Sequence, residues 1–115
     1  MHELAICQAL ITQVETIARS HQASAVICIK VAIGPLSGIE ADLVERAFAI
    51  AKIGSFAANA TLIITKMPIQ VQCPECRQIT EVLPNKLICG HCGNWRTQII
   101  SGNELLLLQL ELAQT

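Results

Sequence analysis

Apolar positions along the first twenty residues recur with a helical period. Leu4, Cys7, Leu10, Ile11, Val14, Ile17 and Ala18 fall on one stripe, which predicts an amphipathic helix from Glu3 to about His21. The period then shortens to two. Ser24 to Ile33 reads as a strand with Ile27, Ile29, Val31 and Ile33 on one face and Val26, Cys28 and Ala32 on the other. Both faces are mostly apolar, as in a strand covered on more than one side. Gly34-Pro35 ends it. Ser37-Gly38-Ile39-Glu40 has the Ser-x-x-Glu spacing of a capping box, so a second helix is expected to run to Gly54 with Ile39, Leu43, Ala47, Phe48 and Ala51 inward. Ala60 to Met67, rich in β-branched residues and stopped by Pro68, predicts a second strand. A third follows Gly102-Asn103, from Glu104 to Leu112, with Leu106, Leu108, Leu110 and Leu112 on one face. The elements predict an α+β protein: two helices packed on a three-stranded sheet, with a metal-binding β-hairpin inserted between the last two strands.

The insert is defined by its cysteines. Cys73-Pro74-Glu75-Cys76 and Cys89-Gly90-His91-Cys92 are separated by twelve residues. Each pair is short enough to turn both sulfurs toward one point, about 2.3 Å from a zinc ion. Pro84-Asn85 supplies a turn near the tip of the intervening stretch. Soft thiolates in a closed tetrahedral shell suit a structural zinc at Cys73, Cys76, Cys89 and Cys92, and iron could occupy the same four sulfurs. Two disulfides or a redox pair are the competing uses. No secretory signal is visible and the pairs lie close together, which favours the metal. A redox Cys-x-x-Cys usually opens a helix after a strand, which Pro74-Glu75 does not suggest. Cys7 and Cys28 lie among apolar positions and read as small core residues. The junctions Met67-Pro68-Ile69 and Ser101-Gly102-Asn103 offer a two-chain hinge.

Composition removes several function classes. In 115 residues, 52% are hydrophobic and 15% charged, enough for one domain carrying a metal-stapled insert. The net charge of -1 and the absence of a basic run argue against nucleic acid, whose phosphates need clustered Lys and Arg. Aromatic residues make up 3%, too few for base-stacking platforms. No apolar run approaches the roughly twenty residues that span a bilayer, so no membrane is expected. Six cysteines without a basic, cleavable start suggest a reducing compartment, and the cytoplasm is the expected location. No Ser/His/Asp set, phosphate loop or carboxylate pair suggests catalysis, and the chain is not expected to be an enzyme.

Met1-His2-Glu3 opens directly onto the first helix. A terminal amine, the His2 amide nitrogen and the His2 imidazole Nδ1 can close adjacent chelate rings, a planar nitrogen set that suits Ni(II) or Cu(II). The amine deprotonates near its reference pKa of about 7.7–8.0. Equally, a histidine at position two is a common accident, and Glu3 suits any helix N-terminus. Ligand chemistry alone leaves both readings open.

Taken in order, Met1-His2-Glu3-Leu4 with Cys7, Gly34-Pro35-Leu36-Ser37-Gly38-Ile39-Glu40, the two Cys-x-x-Cys pairs and Gly102-Asn103-Glu104-Leu105 closely resemble the HypA/HybF family of hydrogenase maturation factors, over essentially the whole chain. The resemblance implies a nickel metallochaperone that works with a HypB-type GTPase to load the [NiFe]-hydrogenase large subunit. It implies transported Ni(II) at Met1, His2 and Glu3, and structural Zn(II) at the four cysteines. Residues 1–68 plus 102–115 would then form a nickel-binding α/β domain and residues 69–101 a zinc-binding domain, in a monomer or a homodimer. Glu40 and His91 are further candidates for the nickel site, although Glu40 is explained by capping and His91 as a surface group or a donor to sulfur. Arg77 stands where the family commonly has a small residue. The rival functions are a zinc-ribbon interaction adaptor and a thiol-disulfide oxidoreductase.

Overall fold

A computed structural model describes residues 3–114. It resolves into two compact units. One takes in the chain up to Val31, Ile39–Thr65 and everything from Leu107 onward; the other comprises Ala32–Gly38 and Lys66–Leu106.

The first unit contains helix α1 (Glu3–Ser20) and helix α2 (Ala41–Ala51), whose apolar stripes face each other. Cys7, Leu10, Ile11, Val14 and Ala18 of α1 are buried with Val44 and Phe48 of α2. The expected α1 stripe is wider than the buried one: Leu4 is 43% exposed. The Cys7 thiol donates to the Val44 carbonyl at 3.4 Å, so the small residue at the helix crossing also carries a polar link.

The capping-box reading of Ser37 is corrected. Helix α2 begins three residues later, with Glu40 in the N-cap position (φ -100, ψ 125) and no side-chain capping bond. Gly38 lies at φ 76, outside the helical region, so the helix cannot include it. The Ser37 hydroxyl donates to the Gly34 carbonyl at 2.7 Å, closing a turn before the helix. Ile39 therefore precedes α2, and Val44, with Phe48, carries its buried face.

Strand β1 (Ala23–Ile33) is central to the sheet, with β2 (Thr61–Lys66) and β6 (Leu105–Gln114) beside it in the order β2-β1-β6. Thr65 Oγ1 donates to Val31 O and Met67 N–H to Ile33 O, so β2 advances in step with β1 and the two are parallel, joined through α2. Ser24 pairs toward Ala113 and Gly34 toward Glu104, which makes β6 antiparallel to β1. Val26 and Ile29, placed on opposite faces of β1, are both buried, as a strand covered on more than one side requires, but Ile27, expected on the same face as Ile29, is 45% exposed. Cys28, expected in the core, is half-buried.

The second unit is built on more than a hairpin. Strand β3 (Ile69–Gln72) lies between β4 (Ile79–Val82) and β5 (Gln98–Ser101), antiparallel to both. The tip falls at Pro84-Asn85, where Leu83 bridges to Lys86. The two junction segments are joined where Ser101 Oγ donates to Pro68 O, and the turn after β1 binds the second of them, Gly34 N–H donating to Glu104 O and Leu36 N–H to Gly102 O. The backbone of Gly102 passes so close to Ile69 that a Cβ there would stand 2.7 Å from the Ile69 Cα.

Candidate metal centre

Two turns of the same design carry the four cysteines. In the first, which follows β3, Cys73 N–H donates to Gln78 O at 3.0 Å and Arg77 N–H to Cys73 O at 2.8 Å. In the second, Cys89 N–H donates to Asn94 O and Gly93 N–H to Cys89 O, both at 2.9 Å. The fifth residue of each turn is left-handed, Arg77 at φ 61 and Gly93 at φ 80. Both Cys-x-x-Cys segments thus wrap their backbone N–H groups around their own sulfurs. Cys76 N–H points to Cys73 Sγ at 3.5 Å, and His91 and Cys92 N–H groups point to Cys89 Sγ at 3.4 Å. Thr80 of β4 secures the second turn, its Oγ1 accepting Gly90 N–H at 3.0 Å.

All four sulfurs lie within 4.8 Å of one another, with Cys73–Cys92 at 3.5 Å and Cys76–Cys89 at 3.6 Å. Ligands about 2.3 Å from a tetrahedral zinc would stand about 3.8 Å apart, so the spacing fits that ion. It does not fit disulfides, whose sulfurs bond at about 2.05 Å, and the cysteines are free. The protonation balance points the same way. The Cys76 backbone amide leads the effects that hold the Cys73 thiol down at about 6, and the Cys92 amide leads those that lower Cys89. The Asn94 backbone draws Cys92 down, but the Cys73 sulfur, burial and the other two sulfurs outweigh it and push the thiol up to about 12. At Cys76 the Gln78 backbone is similarly outweighed by burial and by the sulfurs of Cys89 and Cys73, and the thiol is raised. Four negative sulfurs at this spacing need a divalent cation to remain ionised together. Zinc held by Cys73, Cys76, Cys89 and Cys92 would supply a structural cross-link with a full coordination shell.

His91 is exposed, and the cluster of four sulfurs includes none of its nitrogens. Glu40 is exposed at the start of α2. Glu3 opens α1 and is only 8% exposed, the one buried charged residue among those described. Met1 and His2, the other expected nickel donors, lie outside the described residues. Sequence reasoning missed two supporting residues, Thr80 and Asn94. Their spacing from the cysteines carries no ligand signature; a short polar residue just after the second pair is the only hint.

The family described as "Hydrogenase/urease nickel incorporation, metallochaperone, hypA" matches residues 1–112. A hydrogenase maturation factor HypA of Nitrosospira multiformis is 46% identical over 115 residues, covering all of both chains. Another from Aquifex aeolicus is 40% identical over 112 residues, 97% of each chain. The solution structure of the Ni metallochaperone HypA from Helicobacter pylori superposes with a TM-score of 0.78 at 27% identity, covering 100% of both chains.

Proposed function

This chain belongs to the HypA family of hydrogenase/urease nickel-incorporation metallochaperones, and on that footing we propose that it takes up Ni(II) at its first three residues and delivers it for [NiFe]-hydrogenase maturation. The observation that carries this reading is the family match, which spans residues 1–112 and so takes in Met1-His2-Glu3 as well as the four cysteines. Relatives of full length named for hydrogenase maturation favour that recipient.

The chemistry supports a division of labour. The cysteine cluster offers a saturated shell that holds its ion and leaves no open position, so it serves architecture rather than transfer. Cargo needs ligands that exchange readily. The amine of Met1, the amide and imidazole of His2 and a group of Glu3 form such a set in an open chelate with a preference for Ni(II). On this reading residues 1–68 with 102–115 carry nickel and residues 69–101 carry zinc. A HypB-type GTPase and the hydrogenase large subunit are the proposed partners, with a monomer or homodimer as the working form in the cytoplasm. Among the described residues, no helix is long and apolar enough to cross a membrane.

The rival readings gain little from the geometry. A redox Cys-x-x-Cys works as an isolated pair at a helix start; here both pairs sit in turns beside strands, and their sulfurs form one group of four. A zinc-ribbon adaptor would share the cysteine cluster but would have no need of the N-terminal donors.

The test is nickel titration of three zinc-loaded proteins: one with an authentic N-terminus, His2→Ala, and a form with one Gly placed before Met1. The substitution removes the imidazole, and the extension converts the amine to an amide. Each is expected to weaken nickel by at least about tenfold, roughly 1.4 kcal/mol, with zinc content unchanged. Equal nickel affinity in all three proteins would overturn the N-terminal site and direct attention to Glu40 and His91.

A further inference from the structure

Asn94 stands two residues beyond Cys92, partly buried, and links the two cysteine turns. Its carbonyl accepts Cys89 N–H at 2.9 Å within the second turn. Its side chain crosses to the first turn, where Nδ2 donates to Cys73 Sγ at 3.7 Å. The other end of the amide is fixed as well: Oδ1 accepts Arg96 N–H at 3.1 Å. Because that donor holds the oxygen, the amide presents its NH2 end to the sulfur. The Arg96 guanidinium lies 4.9 Å from the Trp95 ring centroid.

The recipient of this bond has a particular need for it. Cys73 is fully buried, whereas Cys92 is exposed. A thiolate without access to water depends on protein donors to hold its charge and direction. The Cys76 amide reaches Cys73 from its own turn, and Asn94 supplies a donor from the opposite one. One side chain therefore orients a ligand of the first pair from the backbone of the second.

We propose that Asn94 is a positioning residue of the metal centre, aiming the Cys73 thiolate and locking the two cysteine turns together so that the ion is retained. This assignment rests on the reading of the four cysteines as a zinc site. An alanine at this position removes the donor and the Arg96 anchor together. Aspartate separates the two roles: it still accepts from Arg96 N–H but turns a carboxylate oxygen toward the sulfur.

The experiment measures zinc release from the full-length protein to a chromogenic chelator, for wild type, Asn94→Ala and Asn94→Asp. The Cys-thiolate absorption of the Co(II)-substituted forms is read alongside. Release is expected to accelerate by about tenfold in Asn94→Ala, the scale of losing a partner to a metal ligand, and at least as much in Asn94→Asp. The cobalt bands are expected to shift in both, with helix content by circular dichroism unchanged. If Asn94→Asp releases zinc like wild type, the residue acts only by holding Arg96 and the proposal is overturned. Equal release by all three proteins overturns it too. Wild-type protein that holds no zinc overturns the zinc reading itself, and this assignment with it.

Discussion

At Arg77 the backbone lies at φ 61, the region that a side chain with a Cβ occupies at a cost of about 1–2 kcal/mol. The matching position of the other turn is Gly93, at φ 80. Arg77→Gly is therefore expected to stabilise the zinc-loaded protein by up to about 1 kcal/mol, after the greater freedom of glycine in the unfolded chain is subtracted. Thermal unfolding of the loaded protein would show a raised midpoint; a lowered one would mean that the Arg77 side chain makes contacts worth more than the strain. At Cys7, burial leads and the nearby Glu3 charge assists in raising the thiol above its ordinary value of 9.0. The folded protein keeps this thiol protonated where the unfolded chain begins to ionise, so the residue's contribution holds below pH 9 and is lost as pH rises further. Native Cys7 should resist alkylation at pH 8 and react once the chain is denatured. Cys7→Ala is expected to cost about 1–2 kcal/mol, from packing and the bond to Val44, without changing metal content.

Among the elements, the meeting of Gly34, Pro68-Ile69 and Gly102 is the least tolerant of change. A Cβ on Gly34 would stand 2.1 Å from the Gly102 carbonyl oxygen, and Gly102 itself lies at φ 103. Backbone does not move aside as a flexible side chain does, so Gly102→Ala is expected to destabilise by about 3 kcal/mol, from strain and overpacking together. Urea unfolding followed by circular dichroism checks this, and a loss below about 1 kcal/mol would show that the segments separate easily. The three short strands β3, β4 and β5 have few large buried side chains besides Ile69 and Val71. Cys73→Ser or Cys92→Ser should accordingly abolish zinc binding and disorder residues 69–101, while α1 and α2, packed through Leu10, Ile11, Val14, Val44 and Phe48, persist. Amide exchange read by NMR would separate the two sets of residues. Protection retained in the strands of the metal-free variant would contradict the expectation.

For the whole molecule, the two proposed metal sites differ in donor chemistry and so predict two different responses to acid. The proposed nickel donors are an amine and an imidazole with reference pKa values of about 7.7–8.0 and 6.5, so protons compete for them already near neutrality. The proposed zinc ligands divide without a cation, Cys73 and Cys89 lowered and Cys76 and Cys92 raised, so the bound ion decides how far acid must go to release it. Cys73 is held at about 6 before any cation is counted, so its contribution is complete above the ordinary value and is lost only as pH falls through the lower one. A bound divalent ion lowers the thiolates further. Nickel is thus expected to dissociate between about pH 7 and 6, while zinc stays bound until the solution is more acidic. Metal analysis of protein equilibrated across that range checks the order of loss, and simultaneous release would argue against separate sites.

Much of this protein follows from local pattern. The period of the apolar residues determined α1, β1, β2 and β6, and the spacing of Cys73, Cys76, Cys89 and Cys92 determined that one site would gather them, because a turn of four residues can aim its sulfurs in few directions. Pattern could not determine where α2 begins, since the Ser37 hydroxyl has a choice of acceptors and only the folded turn selects Gly34 O. Nor could it separate Ile27 from Val26, because both are apolar and only the packed sheet decides which is covered. The third strand of the zinc unit depended on β5 returning across β3 from a distance in sequence that carries no local signal. The same holds for Asn94. Its role exists only because folding brings the two cysteine turns to within one side chain of each other, a juxtaposition that nothing in the residues around Asn94 signals.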